Sequence, residues 1–293
     1  MRSMLFLPAD SERKIAKGAD SGADGLILDM EDSVAVHRKD EGRKLARAYL
    51  DAHPLGGRKQ QLWCRINPLD GEMTLEDLSA VVGGAPDGLL MPKYRNREQV
   101  IMLDHWLTAL EAREGVPAGH IKILVIATET AEGVLNMNTL PGASPRVTHV
   151  SWGEFDLGAD IGAQSQFLDD GSWDDLYRLA RAKCLATAIA CGAEPCNTVH
   201  TDFRDEPGLR EAIRKARLAG FTCMPAIHPN QIAAINEGFG VSEKELDWSR
   251  RVVAVFEENP DVGVAGLDGI MLDKPHYTQA KKVIARAEAQ GLS

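Results

Sequence analysis

A chain of 293 residues with 43 acidic against 33 basic side chains, a formal charge of −10, has room for one large α/β domain or two ordinary ones. Hydrophobic residues make up 44% and charged residues 26%, near the globular average, which excludes a disordered chain and a disulfide mini-scaffold. The negative balance argues against nucleic-acid partners, so any anionic ligand must be held by a local cationic cluster.

The first apolar run, Met4-Leu5-Phe6-Leu7, is far shorter than a signal h-region, and no stretch approaches the ~20 apolar residues of a membrane helix. No membrane partner is expected and a cytoplasmic location is read. Similar short runs recur along the chain: Met4 to Pro8, Leu26 to Met30, Leu62 to Ile66, Gly88 to Pro92, Lys122 to Ala127, Val147 to Trp152, Pro195 to Val199 and Thr222 to Ile227. Continuous apolarity marks strands covered on both faces, as in parallel sheets with helical crossovers. One run begins about every 31 residues, the size of a βα repeat. The clearest helices between them are Glu98 to Glu114, Trp173 to Cys191 and Pro207 to Leu218, the last with Pro near its start and Gly220 just past its end.

A doubly wound sheet is the alternative architecture. No G-x-G-x-x-G follows the first strand and no composition break separates the halves, so a closed (β/α)8 TIM barrel over residues 1–240 is preferred. Arg38-Lys39, Arg43-Lys44 and Arg47 form the one dense basic run, read as a solvated helix face with phosphate binding as the alternative. Cys64, Cys184, Cys191, Cys196 and Cys223 contain no C-x-x-C pair and read as buried reduced thiols. Residues 241–293 follow as a C-terminal extension, with a helix from Ser242 to Glu257, a Gly-rich connection through Gly263, Gly266 and Gly269, the segment Ile270 to Asp273, and a final helix opening near Pro275.

In such a barrel the active site lies at the C-terminal ends of the strands. Those ends read Asp29-Met30-Glu31-Asp32, Arg65-Ile66-Asn67-Pro68, Pro92-Lys93, Glu129-Thr130 and Glu154-Phe155-Asp156. Carboxylates without a His trio or thiol pair favour a hard divalent cation, Mg²⁺ or Mn²⁺, over zinc. Adjacent strands five and six bring Glu129 and Asp156 together. Thr128, Thr130 and Asp156 are also open to the plainer reading of helix N-caps. Arg65 suits either a structural pairing with Asp29, Glu31 and Asp32 or a substrate carboxylate.

The chain resembles the citrate lyase β-subunit-like branch of the HpcH/HpaI aldolase superfamily, which includes malyl-CoA and citramalyl-CoA lyases. The resemblance rests on stretches in order along the whole chain, among them Arg2-Ser3-Met4-Leu5-Phe6-Leu7-Pro8-Ala9, Leu28-Asp29-Met30-Glu31-Asp32-Ser33-Val34, Arg65-Ile66-Asn67-Pro68 and Met91-Pro92-Lys93. Further along come Glu129-Thr130-Ala131-Glu132-Gly133, Gly153 to Asp160, Ala226 to Gln231 and Asp268 to Pro275. It implies a Mg²⁺ held by Glu129 and Asp156, with Glu31 and Asp32 orienting metal-bound waters. Arg65 would meet the keto-acid oxygens, and Arg2, Phe6 and Lys17 would lie near coenzyme A. Asp273 matches the acid/base that reaches an adjacent subunit's site, so a homotrimer or hexamer is implied. The implied activity is Mg²⁺-dependent carbon–carbon cleavage, or Claisen formation, of a short 3-hydroxyacyl-CoA such as malyl-, citramalyl- or citryl-CoA. The alternatives are a malyl-CoA-type thioesterase, a class II pyruvate aldolase and a citrate lyase complex subunit acting on an acyl-carrier-protein thioester. Met30, Ser11 and Cys223-Met224-Pro225 depart from the family pattern and bear on the CoA contacts rather than on the metal ligands.

Overall fold

The eight apolar runs become eight parallel strands among the residues described by the computed structural model, 1–260 and 262–292. In chain order the elements are β1 (Ser3–Pro8), α1 (Glu12–Ala19), β2 (Gly25–Asp29), α2 (Lys39–Ala52), β3 (Gln61–Arg65), α3 (Thr74–Val81), β4 (Gly88–Met91), α4 (Arg97–Glu114) and β5 (Lys122–Ile126). They continue with α5 (Ala131–Asn136), β6 (Val147–Ser151), α6 (Glu154–Ile161), α7 (Asp175–Ala190), β7 (Glu194–Cys196), α8 (Glu206–Ala219), β8 (Met224–Ala226) and α9 (Ile232–Phe239). Each strand from β1 to β6 pairs with the next, and β1 also pairs with β8. The remaining gap, between β7 and β8, is bridged where the Asn197 N–H donates to the Cys223 carbonyl at 2.8 Å and the Thr222 N–H to the Pro195 carbonyl at 3.0 Å. The result is a (β/α)8 barrel. Strands β7 and β8 are shorter than their apolar runs because Pro195 and Pro225 have no N–H to give the ladder.

The barrel interior is filled across its width. Trp63 of β3 meets the His149 ring of β6 edge-on, centroids 5.5 Å apart, and strands that are not neighbours touch only through the interior. Gly88 of β4 lies opposite Trp63 in register, and a Cβ there would stand 2.2 Å from the indole. Glycine at this position is therefore a packing requirement.

The basic run is a solvated face only in part, through exposed Arg38 and Lys44. Lys39 and Arg43 are buried. The Lys39 ammonium donates to the Met30 and Glu31 carbonyls and to Asn67 Oδ1 at 2.7 to 2.8 Å, while Arg43 pairs with buried Asp77 at 2.8 Å. Arg38 and Arg47 are taken up by Asp10 and Asp51. The Trp173 end of its expected helix also differs: α7 starts at Asp175, capped by Asp174, and Trp173 packs on Trp152 and Phe167.

The second unit, from residue 239 onward together with Met1, contains α10 (Glu243–Glu258), β9 (Val264–Leu267), β10 (Ile270–Asp273) and α11 (Lys274–Ala289). Ser242 closes a capping box with Glu245 at the start of α10. The expected Gly-rich connection is instead an antiparallel hairpin, β9 paired with β10. Its turn, Asp268-Gly269, has φ of 51° and 77°, the left-handed pair that a two-residue hairpin demands. Val252, Phe256, Leu272 and Ala280 form a small core of this unit.

Candidate active site

Register brings the first two charged groups together, because Asp29 ends β2 directly beside Arg65 at the end of β3. Arg65 grips Asp29 with two parallel hydrogen bonds, Nε to Oδ1 and Nη2 to Oδ2, each 2.7 Å. Its third nitrogen lies 2.8 Å from Glu31 Oε2, and the guanidinium stands over the Phe6 ring, 4.9 Å from its centroid. Burial works against both partners of the Asp29 pair, yet the pairing wins: the Asp29 carboxyl falls below its ordinary range and Arg65 is held more firmly protonated.

Lys93 follows β4 in a left-handed conformation, φ 51°, uncommon for a residue with a side chain. That turn aims its N–H at Glu129 Oε2, 2.6 Å away. Its ammonium lies 2.6 Å from Glu31, 3.1 Å from Asp32 and 3.5 Å from Asp156. One residue thus touches both carboxylates of the expected metal pair. Glu129, buried just past β5, owes its position also to Gly153, where a Cβ would lie 3.0 Å from Glu129 Cγ. Asp156 sits in the first turn of α6, where the helix dipole favours negative charge.

The carboxyl groups of Asp29, Glu31, Asp32, Glu129, Glu154 and Asp156 outnumber the cations Arg65, Lys93 and, behind them, Lys39. Burial, then Asp156 and Glu31, pushes the Glu129 carboxyl up to about 8. Burial likewise raises Glu154 to about 7, although the Thr198 hydroxyl donates to it. Glu31 Oε2 is buried without an aligned hydrogen-bond donor. Charge in surplus, a carboxyl forced toward its neutral form and a buried carboxylate oxygen met only by an unaligned guanidinium nitrogen all suit a small, hard cation. Among the described residues no His, Cys, Asp or Glu side chains group in threes as a closed metal cage would require. Two carboxylates would leave most of an octahedral shell to water and substrate.

A cleft of about 860 Å³ opens over these groups, lined by Arg65, Glu129, Glu154, Asp156 and Phe6, and by the exposed cations Arg13, Lys14 and Lys17 of α1. Lys17 and Phe6 are thus among the residues that line the cleft. Arg2 is not: it precedes β1 at the N-terminal end of the strands, its guanidinium held by Asp24 at 2.7 Å, and it does not line the cleft. Asp273 belongs to the C-terminal unit, where it caps α11 and lies 2.6 Å from His276 Nδ1.

The cap readings divide. Thr130 is the N-cap of α5, accepting from the Gly133 N–H at 2.9 Å. Thr128 instead ties to the Gly153 backbone, and Asp156 lies inside its helix. His228 caps the turn after β8 through Nδ1. The sequence reading noted Lys93 and Glu154 only as charged strand ends. The signal that could have promoted Lys93 is the one that singled out Arg65, a basic residue just after a barrel strand.

The HpcH/HpaI aldolase/citrate lyase family profile matches residues 2–229. The chain is 31% identical to the citrate lyase subunit beta of Haemophilus influenzae, over 98% of this chain and 97% of that protein. It is also 31% identical to the mitochondrial citramalyl-CoA lyase of Mus musculus, over 98% and 86%. Among solved structures, that of protein CitE from Mycobacterium tuberculosis in complex with magnesium, acetoacetate and coenzyme A superposes with a TM-score of 0.76 at 31% identity, covering 98% of both chains. Among the described residues no helix is long and apolar enough to cross a membrane.

Proposed function

Because the chain belongs to the HpcH/HpaI aldolase/citrate lyase family, we propose that it is a lyase that cleaves a short 3-hydroxyacyl-CoA such as malyl-, citramalyl- or citryl-CoA into an acyl-CoA and a keto acid, or joins the two by Claisen condensation. The observation that carries this reading is the meeting of Glu129 and Asp156 at Lys93, beside the Arg65 fork, under one cleft. Glu129 and Asp156 would hold Mg²⁺, or Mn²⁺, with Glu31 and Asp32 turned toward the ion's waters. When bound, that ion supplies Lewis-acid stabilisation to the oxygen that gains charge as the carbon–carbon bond breaks.

The protein's own groups divide the remaining work. Arg65, rigid on Asp29 and buried on the Phe6 face, offers donors to the carboxylate of the keto-acid half. As the carbon–carbon bond breaks, the substrate hydroxyl gives its proton to water and becomes the keto carbonyl, while the electron pair of the broken bond passes to the carbon next to the thioester, leaving an enolate. Asp273 of an adjacent subunit protonates that carbon, and in the condensing direction removes the same proton. Arg13, Lys14 and Lys17, on the rim of the cleft in a chain of net charge −10, suit the phosphates of coenzyme A, with Phe6 below them. A site shared between chains requires an oligomer, which we read as a trimer or hexamer, and the location we propose is cytoplasmic.

A panel of hydroxyacyl-CoA esters, assayed with and without Mg²⁺ while CoA species and keto acid are both quantified, tests the reading. Acyl-CoA and keto acid in equal amounts, abolished by chelation, is the expected result. Free CoA with no keto acid would replace cleavage by thioester hydrolysis. Cleavage of free aldehyde adducts without CoA would indicate an aldolase, and inactivity on CoA esters with activity on carrier-protein thioesters would indicate a citrate lyase subunit.

A further inference from the structure

Lys93 touches the acidic mouth through two different atoms. Its N–H fixes Glu129 at 2.6 Å, and its ammonium lies among Glu31, Asp32 and Asp156 at 2.6, 3.1 and 3.5 Å. The backbone is held left-handed to allow both, and such strain persists only where the surroundings over-determine it. The three side-chain contacts are graded. Glu31, nearly fully buried, holds the ammonium most closely, the more exposed Asp32 next, and part-exposed Asp156 least.

We propose that Lys93 is a positioning residue, the resident counter-cation of this site: its ammonium draws Glu31, Asp32 and Asp156 together ahead of the metal, then yields Asp156 to the incoming ion while keeping Glu31 and Asp32. The inference rests on the metal reading of Glu129 and Asp156. Without such a cation, the clustered carboxylates would repel one another and the loops after β2 and β4 would lose their link. With it, an incoming divalent ion must overcome the field of a resident positive charge. Lys93 thus moderates metal affinity while preserving the geometry that the ion enters. A lysine that served merely as a surface ion pair would do neither.

The test is calorimetric titration of Mg²⁺ into the metal-free, full-length protein and into Lys93→Met and Lys93→Arg, at low and at high salt, with melting curves for each. Both substitutions keep a side chain on the left-handed residue, so the backbone demand is common to all three proteins. For Lys93→Met the expected result is Mg²⁺ affinity on the order of tenfold higher at low salt, a gap that narrows as salt screens the lost charge. Its metal-free form should melt lower than wild type and gain more from Mg²⁺, while Lys93→Arg stays near wild type. If Lys93→Met does not fold, Lys93→Gln takes its place with the same expectation. Equal or weaker affinity in the uncharged variants would overturn the proposal. Absence of Mg²⁺ binding by the wild type would overturn the metal reading beneath it, so the two failures are distinct.

Discussion

A lysine in place of Arg65 keeps the charge and loses the fork. Asp29, 1% exposed, would then receive one hydrogen bond from this position where it had two, and on the proposed reading the keto-acid carboxylate would lose its planar partner. Arg65→Lys should lower kcat/KM by a factor of about 100 or more while Mg²⁺ affinity stays near wild type, measured by steady-state kinetics and calorimetry on one preparation. Loss of metal affinity instead would move Arg65 from substrate to metal support. His149 makes a second prediction at this scale. Burial lowers it to about 4, below the unfolded value near 6.5, so the unfolded chain binds more protons between those limits. The stability it contributes is present above pH 6.5 and is lost as pH falls toward 4, about 3 kcal/mol in all. His149→Gln should therefore show a smaller drop in unfolding free energy between pH 7 and pH 4 than wild type, read by denaturant titration. Equal drops would mean that the ring does not carry the acid sensitivity.

Between elements, the site depends on close backbone approach as much as on charge. Gly153, the residue before α6, lies against Glu129, and an added Cβ would stand 3.0 Å from Glu129 Cγ. Gly153→Ala retains every carboxylate, yet should weaken Mg²⁺ binding about tenfold by displacing Glu129, with little change in melting temperature. Unchanged affinity would mean that Glu129 adjusts freely. This dependence also explains what the sequence disclosed. The strands were legible because a barrel strand buried on both faces must be apolar throughout, and Glu129 and Asp156 because they follow neighbouring strands. Lys93 was less so, since its role depends on a left-handed backbone that no spacing announces. Lys39 and Arg43 escaped the solvated-face reading because Asp77 and Asn67, which absorb Arg43 and Lys39, lie a strand away in sequence. The β9–β10 hairpin was readable from Asp268-Gly269, but the neighbouring glycines hid the alternation. Arg2 followed from resemblance alone, and its pairing with Asp24 is a contact that resemblance does not encode.

At the scale of the assembled molecule, the proposal assigns one active site to two chains, Glu129 and Asp156 from one and Asp273 from another. The single variants should separate these roles. Glu129→Ala and Asp156→Ala should weaken Mg²⁺ binding, whereas Asp273→Ala should bind Mg²⁺ normally and lose most turnover. A mixture tests the geometry. On this reading oligomers made only of Glu129→Ala chains have an impaired metal site throughout, and those made only of Asp273→Ala chains lack the acid. In mixed oligomers, formed by dissociating and reassembling the two variants together, some sites pair an intact barrel with an intact Asp273 from the other chain. Those sites should recover activity to a sizeable fraction of wild type, in proportion to the mixed population seen by native mass spectrometry. If Asp273 served the barrel of its own chain, every site in the mixture would lack one group or the other. Mixing would then restore nothing, because assembly cannot return to a chain a carboxylate that the same chain has lost.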